Sequence, residues 1–179
     1  PVDRRQRQMC IRDSISIVLI SCEPQITDKS GGKWYQENPP QLSGQKFKIG
    51  SDEAAEMVVK VIRDFADMDK NESIIESMAD SVNFYSPEGY QKLDMTTTET
   101  LASFQEPYDS IKRFVVSAVP LTFGEGIINI VDVVFRERRF KDGEVNRRRV
   151  FERFWVNPDG KIATIAIFPS EMAVSYTHL

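Results

Sequence analysis

The sequence predicts an α+β fold in which helices come first and an antiparallel meander follows. Residues 51–107 hold three segments with helical signals and one short strand. From Ile111 onward apolar residues recur with period two, which is typical of half-buried strands. The turn motifs KDGE and NPDG separate the last three of these strands, and Asp-Gly between alternating segments is a strong hairpin signal. Helices followed by consecutive strands are the α+β arrangement.

Each helix has its own start signal. The first begins after Ser51, an N-cap residue followed by two acidic residues. A second, short helix follows Asn71, which is predicted to be its N-cap, and the strand after it ends at Pro87 and Gly89. The third begins at the capping-box pattern Thr96 to Glu99. The predicted inner face of the first helix comprises Ala54, Val58, Val61, Ile62, Phe65 and Met68.

The KDGE turn predicts the register of the hairpin around it. If Asp142 and Gly143 are the two loop residues, the facing positions follow directly. Glu152 then shares a face with Val150 and Phe154, and we expect that face to be buried because it is otherwise apolar. The predicted pairs are Arg138 with Arg147, Glu137 with Arg148, Arg136 with Arg149, and Asp132 with Arg153.

The ends of the chain are interpreted separately from the fold. Residues 1–14 and 174–179 resemble translated sequencing-adaptor read-through, a recurrent contaminant of assembled environmental (metagenomic) reads, and are set aside. Residues 15–22 resemble a truncated lipoprotein signal, because an apolar run meets the lipobox LISC and Cys22 would be the acylated residue. The alternative is a severed core strand with an ordinary buried cysteine.

The remaining chain divides into a tether and one domain. Residues 23–50 are rich in Pro and Gly and are predicted to be a flexible tether, whereas residues 51–173 form the domain. We expect a lipid-anchored protein of the bacterial cell envelope that faces the periplasm. Glu23 directly after Cys22 favours the outer membrane by analogy with enteric sorting.

Composition excludes several kinds of chemistry. The only histidine, His178, and Cys10 lie in the excluded ends, and Cys22 would be acylated. The domain therefore lacks Cys/His nucleophiles, Ser-His-Asp triads, the usual zinc ligands and disulfides. No glycine-rich phosphate loop is present, so we predict no cofactor and no metal. Without the four arginines and two aspartates of residues 1–14, the net charge is about −6, which argues against nucleic-acid binding.

The range from Ser51 to Phe168 resembles the nuclear transport factor 2-like superfamily, in the SnoaL-like branch that includes ketosteroid isomerases. The resemblance depends on element order, the hairpin pair and the stretches VIRDFADMDKNESIIESMADSVNFYSPEG and FERFWVNPDGKI. It implies a strongly curved sheet wrapped by helices into a cone, which holds a small apolar or amphipathic molecule. It also implies a homodimer through the outer sheet face.

The catalytic groups of the family's known enzymes are absent from the matching positions of this sequence. The ketosteroid isomerase base is an aspartate directly before a proline, and Ser86 stands at that position. Ile62 stands where the oxyanion-stabilising tyrosine would be. Epoxide-hydrolase relatives need an Asp-Arg-Asp network inside the cone, but the register places Asp132 and Arg153 on the outer face. We therefore expect none of these activities.

One candidate for chemistry remains inside the cone. A desolvated Glu152 would have a raised pKa and could transfer a proton or bind a polar ligand group. Alternatively, it is a buried carboxyl paired with a tyrosine or a backbone donor, or a bulge turns it outward. Asn129, Tyr85 and Tyr90 are further candidates for lining the cavity.

The outer face of the hairpin carries Trp155 and Phe151 among Arg136, Arg149 and Arg153. Aromatic residues mixed with arginine are typical of protein interfaces, which favours a homodimer. The other interpretations are a solvated surface and attraction to anionic lipid or polysaccharide.

Three functional hypotheses follow. The first is a small-molecule-binding domain without the ketosteroid isomerase set. The second is a lyase or isomerase with Glu152 as general base, and the third is a non-catalytic interaction module.

Overall fold

The computed structural model describes residues 32–33, 43–123 and 128–168. These ranges form three α-helices and a curved, unclosed sheet of eight strands, which confirms the predicted α+β cone. The helices are α1 (Asp52–Asp64), α2 (Asn71–Ile75) and α3 (Glu99–Gln105). The strands are β1 (Gly32–Lys33), β2 (Lys46–Ile49), β3 (Met78–Ser86), β4 (Gly89–Asp94), β5 (Ser110–Phe123), β6 (Ile128–Lys141), β7 (Glu144–Val156) and β8 (Ile162–Phe168).

The strands follow the order β1-β2-β5-β6-β7-β8-β3-β4 across the sheet. Every neighbouring pair is antiparallel except β3 and β8, which run parallel. Strands β5 to β8 form the predicted meander. Strand β4 was not predicted, because most of its residues, GYQKLD, are exposed and show no apolar alternation.

The hairpin of β6 and β7 has the predicted register, including all four predicted pairs. Asp142 has a φ of 51° and Gly143 a φ of 81°, as a two-residue turn of type I′ requires. Because side chains alternate between faces, this register determines which residues face the helices. The inner face carries Phe135, Val150 and Phe154, all of which are buried.

Helix α1 covers that inner face. The Ser51 hydroxyl accepts a hydrogen bond from the backbone N–H of Ala54 at 3.2 Å, which confirms the predicted N-cap. Val58 and Ile62, on the side of α1 that faces the sheet, are buried. The helix ends at Asp64, so Met68 falls in a separate 3-10 turn and is 47% exposed rather than on the predicted inner face.

Helices α2 and α3 are joined by a buried amide pair. Asn71 was predicted as a cap, but it is the first residue of α2 and its side chain donates to Gln105 Oε1 at 2.8 Å. Gln105 Nε2 donates to the backbone carbonyl of Phe65 at 2.9 Å, which fixes α3 against the end of α1. Helix α3 begins at Glu99, later than predicted, because the Thr96 side chain bonds to Asp94 instead of capping the helix.

Part of the predicted tether belongs to the sheet. Strands β1 and β2 lie within residues 23–50, and β2 pairs with β5. The predicted adaptor segments and Cys22 lie outside the described residues. Among the helices that the structure describes, none is long and apolar enough to cross a bilayer.

Candidate functional site

A cavity of about 100 Å³ lies between the helices and the inner face of the sheet. Most of its wall is apolar and consists of side chains of α1, α2, α3 and the strands β3, β4, β7 and β8. Four ionisable side chains also line it: Arg113, Arg139, Arg148 and Glu152. The cavity is therefore an apolar chamber with a small set of convergent polar groups, which is the usual composition of a small-molecule site.

Glu152 lies on the inner face of β7, as its register predicted. Its side chain is nearly buried, with the residue 4% exposed. Within the described ranges, no residue forms a hydrogen bond or an ion pair with its carboxyl. Burial raises the pKa of Glu152, Arg113 opposes this effect, and the negative charge of Glu137 adds to it. In its neutral form, which burial favours, a carboxyl that faces a cavity can donate a hydrogen bond to a ligand or transfer a proton.

Glu137 lies further along the inner face and is held very differently. Three guanidinium groups share its carboxylate: Nε of Arg113 is 2.7 Å from it, and Nε of both Arg139 and Arg148 is 2.6 Å from it. Burial alone would raise the pKa of Glu137, but the three positive charges lower it to about 2. Glu137 is therefore an anion at neutral pH, and it positions the three arginines at the cavity.

The three arginines are exposed to different degrees. The side chain of Arg113 is 9% exposed, that of Arg139 20% and that of Arg148 40%. The Arg113 guanidinium lies 3.9 Å from the centroid of the Phe65 ring, and Arg139 Nη1 donates to the Tyr108 hydroxyl at 2.7 Å. Arg113 is therefore the innermost cation, and Arg148 lies at the rim.

The other predicted lining residues do not reach this cavity. Tyr85 pairs in register with Ala166, on the face of β8 that points away from the helices, and it is 47% exposed. Its ring contacts that of Tyr90, whose hydroxyl donates to Asn83 Oδ1 at 2.9 Å. Asn129 is half-buried between β5 and β7, outside the cavity lining. Of the four predicted ligand-binding residues, the structure brings only Glu152 to the cavity.

The cluster of Arg113, Arg139 and Arg148 around Glu137 was not predicted, although side-chain alternation along the strands indicates part of it. Glu137 and Arg139 have the same parity as Phe135 along β6, so both should face inward. Arg148 has the same parity as Glu152 along β7. In the sequence, a run of charged residues on a hairpin indicates a solvated surface. The burial of Glu137 becomes understandable only when Arg113, on β5, is seen to bind it together with Arg139 and Arg148.

The outer face holds the residues predicted for an interface. Arg153 and Asp132 form two hydrogen bonds of 2.6 and 2.8 Å there, so this pair lies outside the cone. The Arg153 guanidinium lies 5.8 Å from the centroid of the Trp155 ring, and the Phe151 ring contacts Phe168. Arg136 and Arg149 face each other in register and are exposed. In the described residues no group of three potential metal ligands exists.

Replacing Glu152 by Gln should change the pH dependence of stability. A raised pKa means that the folded state holds its proton more tightly, so stability is lost as pH rises from about 4.5 through the folded-state pKa. Gln imitates the neutral form and removes this loss. We expect Glu152→Gln to gain stability relative to wild type from pH 5 to pH 9 in urea unfolding, with no gain at pH 4.

The exposed Glu144, at the start of the same strand, provides the matched control. Glu144→Gln should differ from wild type by a small, nearly constant amount over the pH series. A Glu152→Gln difference that is equally constant would contradict a raised pKa.

Comparison with known proteins identifies the fold. No protein-family model matches the chain, and no curated protein matches it. Among solved structures, a nuclear transport factor 2-like protein from Exiguobacterium sp. 255-15 has a TM-score of 0.51 at 17% identity over 66% of this chain and 98% of that one. A nuclear transport factor 2-like superfamily protein from Salmonella enterica serovar Typhimurium has a TM-score of 0.52 at 12% identity, over 70% and 95%.

TerC, co-crystallised with polyporic acid, has a TM-score of 0.51 at 16% identity, over 65% of this chain and 91% of that one. At such identities the similarity shows the fold alone. The chain therefore has the nuclear transport factor 2-like, or cystatin-like, fold.

Proposed function

We propose that this chain is a small-molecule-binding domain of the SnoaL-like kind that lacks the ketosteroid isomerase catalytic set. The observation that carries the proposal is Glu152, which is 4% exposed in the wall of an apolar cavity and has no hydrogen-bond or ion-pair partner among the residues that the structure describes. A buried polar group without a partner is costly, and a ligand that hydrogen-bonds to it removes that cost.

Two further observations support a ligand. A pure interaction module has no need of an internal chamber, whereas this cone keeps about 100 Å³ unfilled among well-packed side chains. TerC, of the same fold, was crystallised with a small organic molecule. An apolar cavity of about 150 Å³ holds benzene, so we infer a ligand with roughly one ring or a short branched chain inside the cone.

The catalytic set is missing from the equivalent positions. Ser86 ends β3, and its hydroxyl donates to the Gly89 carbonyl at 3.4 Å, outside the cavity lining. Ile62 contributes an apolar side chain to the cavity wall, where a tyrosine would be needed. A serine hydroxyl without a base cannot remove a carbon-bound proton at neutral pH.

Binding can be tested with single-ring compounds by ligand-observed NMR at pH 7. The compounds that bind best should bind Glu152→Gln with an affinity changed by about tenfold, because the amide alters a hydrogen-bonding group in the cavity wall. Glu144→Gln should bind as wild type does. If no compound binds, or if Glu152→Gln binds every compound unchanged, the proposal is wrong.

A second candidate function is a lyase or isomerase with Glu152 as general base. Burial raises the pKa of this carboxyl, which favours the proposal because a carboxylate with a raised pKa is a stronger base. Exchange of carbon-bound protons of a bound ketone in D₂O, observed by NMR, would test it. Exchange that persists in Glu152→Gln would exclude Glu152 as the base.

The outer sheet face supports a homodimer. Several large apolar side chains on this face are exposed, and contiguous exposed apolar patches mark interaction sites. Val119 lies opposite Asp132 in register, beside the ion pair of Asp132 and Arg153, so a second copy would bury apolar side chains together with a satisfied polar pair. The exposed fractions are Ile49 81%, Phe114 51%, Val119 49% and Phe168 42%.

Val119→Lys should break this dimer, because it places a charge in the apolar interface and, opposite Asp132 in register, competes with Arg153 for that carboxylate. Light scattering after size-exclusion chromatography should show a dimer for wild type and a monomer for the variant, with a dissociation constant raised by at least about a hundredfold. Met68→Lys, on an exposed turn away from the sheet, should remain a dimer. A monomeric wild type would contradict the proposal.

The proposal includes a lipid anchor at Cys22 in the bacterial envelope, which rests on the LISC motif alone. Labelling with radioactive palmitate that persists in Cys22→Ser would contradict it.

A further inference from the structure

The polar end of the cavity has an excess of positive charge. Three guanidinium groups share one carboxylate, Glu137, which leaves a net charge of +2 at the cavity wall. Glu152 is the other carboxyl group near this end of the cavity, and burial raises its pKa, which favours its neutral form; even an ionised Glu152 would leave one positive charge in excess. Buried charges are usually balanced by counterions or partners, because an uncompensated charge in a low-dielectric interior is costly.

The arginines also have terminal N–H donors beyond those that bind Glu137. All three direct Nε to Glu137, and Arg139 uses one terminal nitrogen for Tyr108. Arg113 is the most buried, at 9% exposure, and within the described ranges its two terminal nitrogens have no acceptor. The Phe65 ring, 3.9 Å from the Arg113 guanidinium, and Glu137 hold this group in place. The edge formed by its two terminal nitrogens therefore has a fixed orientation. A guanidinium fork of this kind matches the two oxygens of a carboxylate.

We propose that the cavity is specific for small monocarboxylates, with the ligand's carboxylate bound by Arg113 and its neighbours and its apolar body packed against α1 and the inner sheet. This inference rests on the proposed small-molecule function and names the class of ligand. Glu152 lies in the same wall and donates a hydrogen bond to a second polar group of the ligand, or to the carboxylate itself. The arginine at the rim, Arg148, is the first cation that an entering anion meets.

The test compares each acid with its neutral amide, which has nearly the same shape. The probes are benzoate and benzamide, and isobutyrate and isobutyramide, titrated at pH 7 into the full chain and followed by NMR. We expect at least one carboxylate to bind at least about tenfold more tightly than its amide. If acids and amides bind equally, the anion site is wrong and the small-molecule function stands. If none of the four binds, both proposals fail.

Two variants assign the site to the arginines. Arg113→Lys keeps the charge beside Glu137 but loses the planar fork, so the preference for acid over amide should fall by about tenfold. Arg148→Gln, at the exposed rim, avoids the risk that a buried variant fails to fold, and it should weaken carboxylate binding while leaving amide binding unchanged. Arg136→Gln, on the outer face of β6, is the matched control. Carboxylate preference that survives in both Arg113→Lys and Arg148→Gln would overturn the assignment.

Discussion

Glu137→Gln should lose about 3–5 kcal/mol of unfolding free energy at pH 7, because it removes one partner of a buried ionic cluster. The residue is 1% exposed, so solvent cannot replace the lost charge. Three guanidinium groups that now share one carboxylate would face each other without compensation. Urea unfolding followed by circular dichroism measures the loss.

The pH dependence of this loss has a definite sign. The pKa of Glu137 falls from 4.5 to about 2 on folding, so its contribution is fully present above about pH 4.5 and is lost as pH falls towards 2. The difference between wild type and Glu137→Gln should therefore shrink below pH 4.5.

Asp132→Asn provides the control, because it also removes one carboxylate from an arginine pair on β6. That pair lies on the outer face with side chains 16% and 21% exposed, and we expect a cost of about 1 kcal/mol. Equal costs for the two variants would show that burial of the Glu137 cluster contributes nothing.

Phe154→Ala should also lose about 3–5 kcal/mol, because it removes a buried ring from the core. Phe154 is 2% exposed and lines the cavity beside Glu152, so the truncation enlarges the existing chamber. An enlarged apolar cavity can bind benzene, and binding to the folded state restores stability. We expect benzene to raise the melting temperature of Phe154→Ala more than that of wild type.

Tyr90→Ala is the comparison for this variant. Its ring is 56% exposed and contacts only Tyr85 among the described aromatic residues, so its loss should cost less than about 1 kcal/mol. If benzene stabilises wild type and Phe154→Ala equally, Phe154 does not limit the volume of the cavity.

The hairpin and the first helix were predictable because their signals are local. Asp142 and Gly143 determine a two-residue turn, and alternation then assigns every side chain of β6 and β7 to a face. Ser51 caps α1 with its own hydroxyl. By contrast, β4 and the parallel pairing of β3 with β8 leave no trace in local periodicity, because exposed residues and distant partners determine them.

The sequence by itself determined the α+β plan, the register of the long hairpin and the inward position of Glu152. All of these depend on turn geometry and side-chain alternation over short distances. Only the tertiary structure decided what surrounds Glu152. The cluster joins Arg113 on β5, Glu137 on β6 and Arg148 on β7, and it is the pairing of these strands that brings their charges within hydrogen-bonding distance. Whether a charged side chain is solvated or buried depends on partners that are distant in sequence.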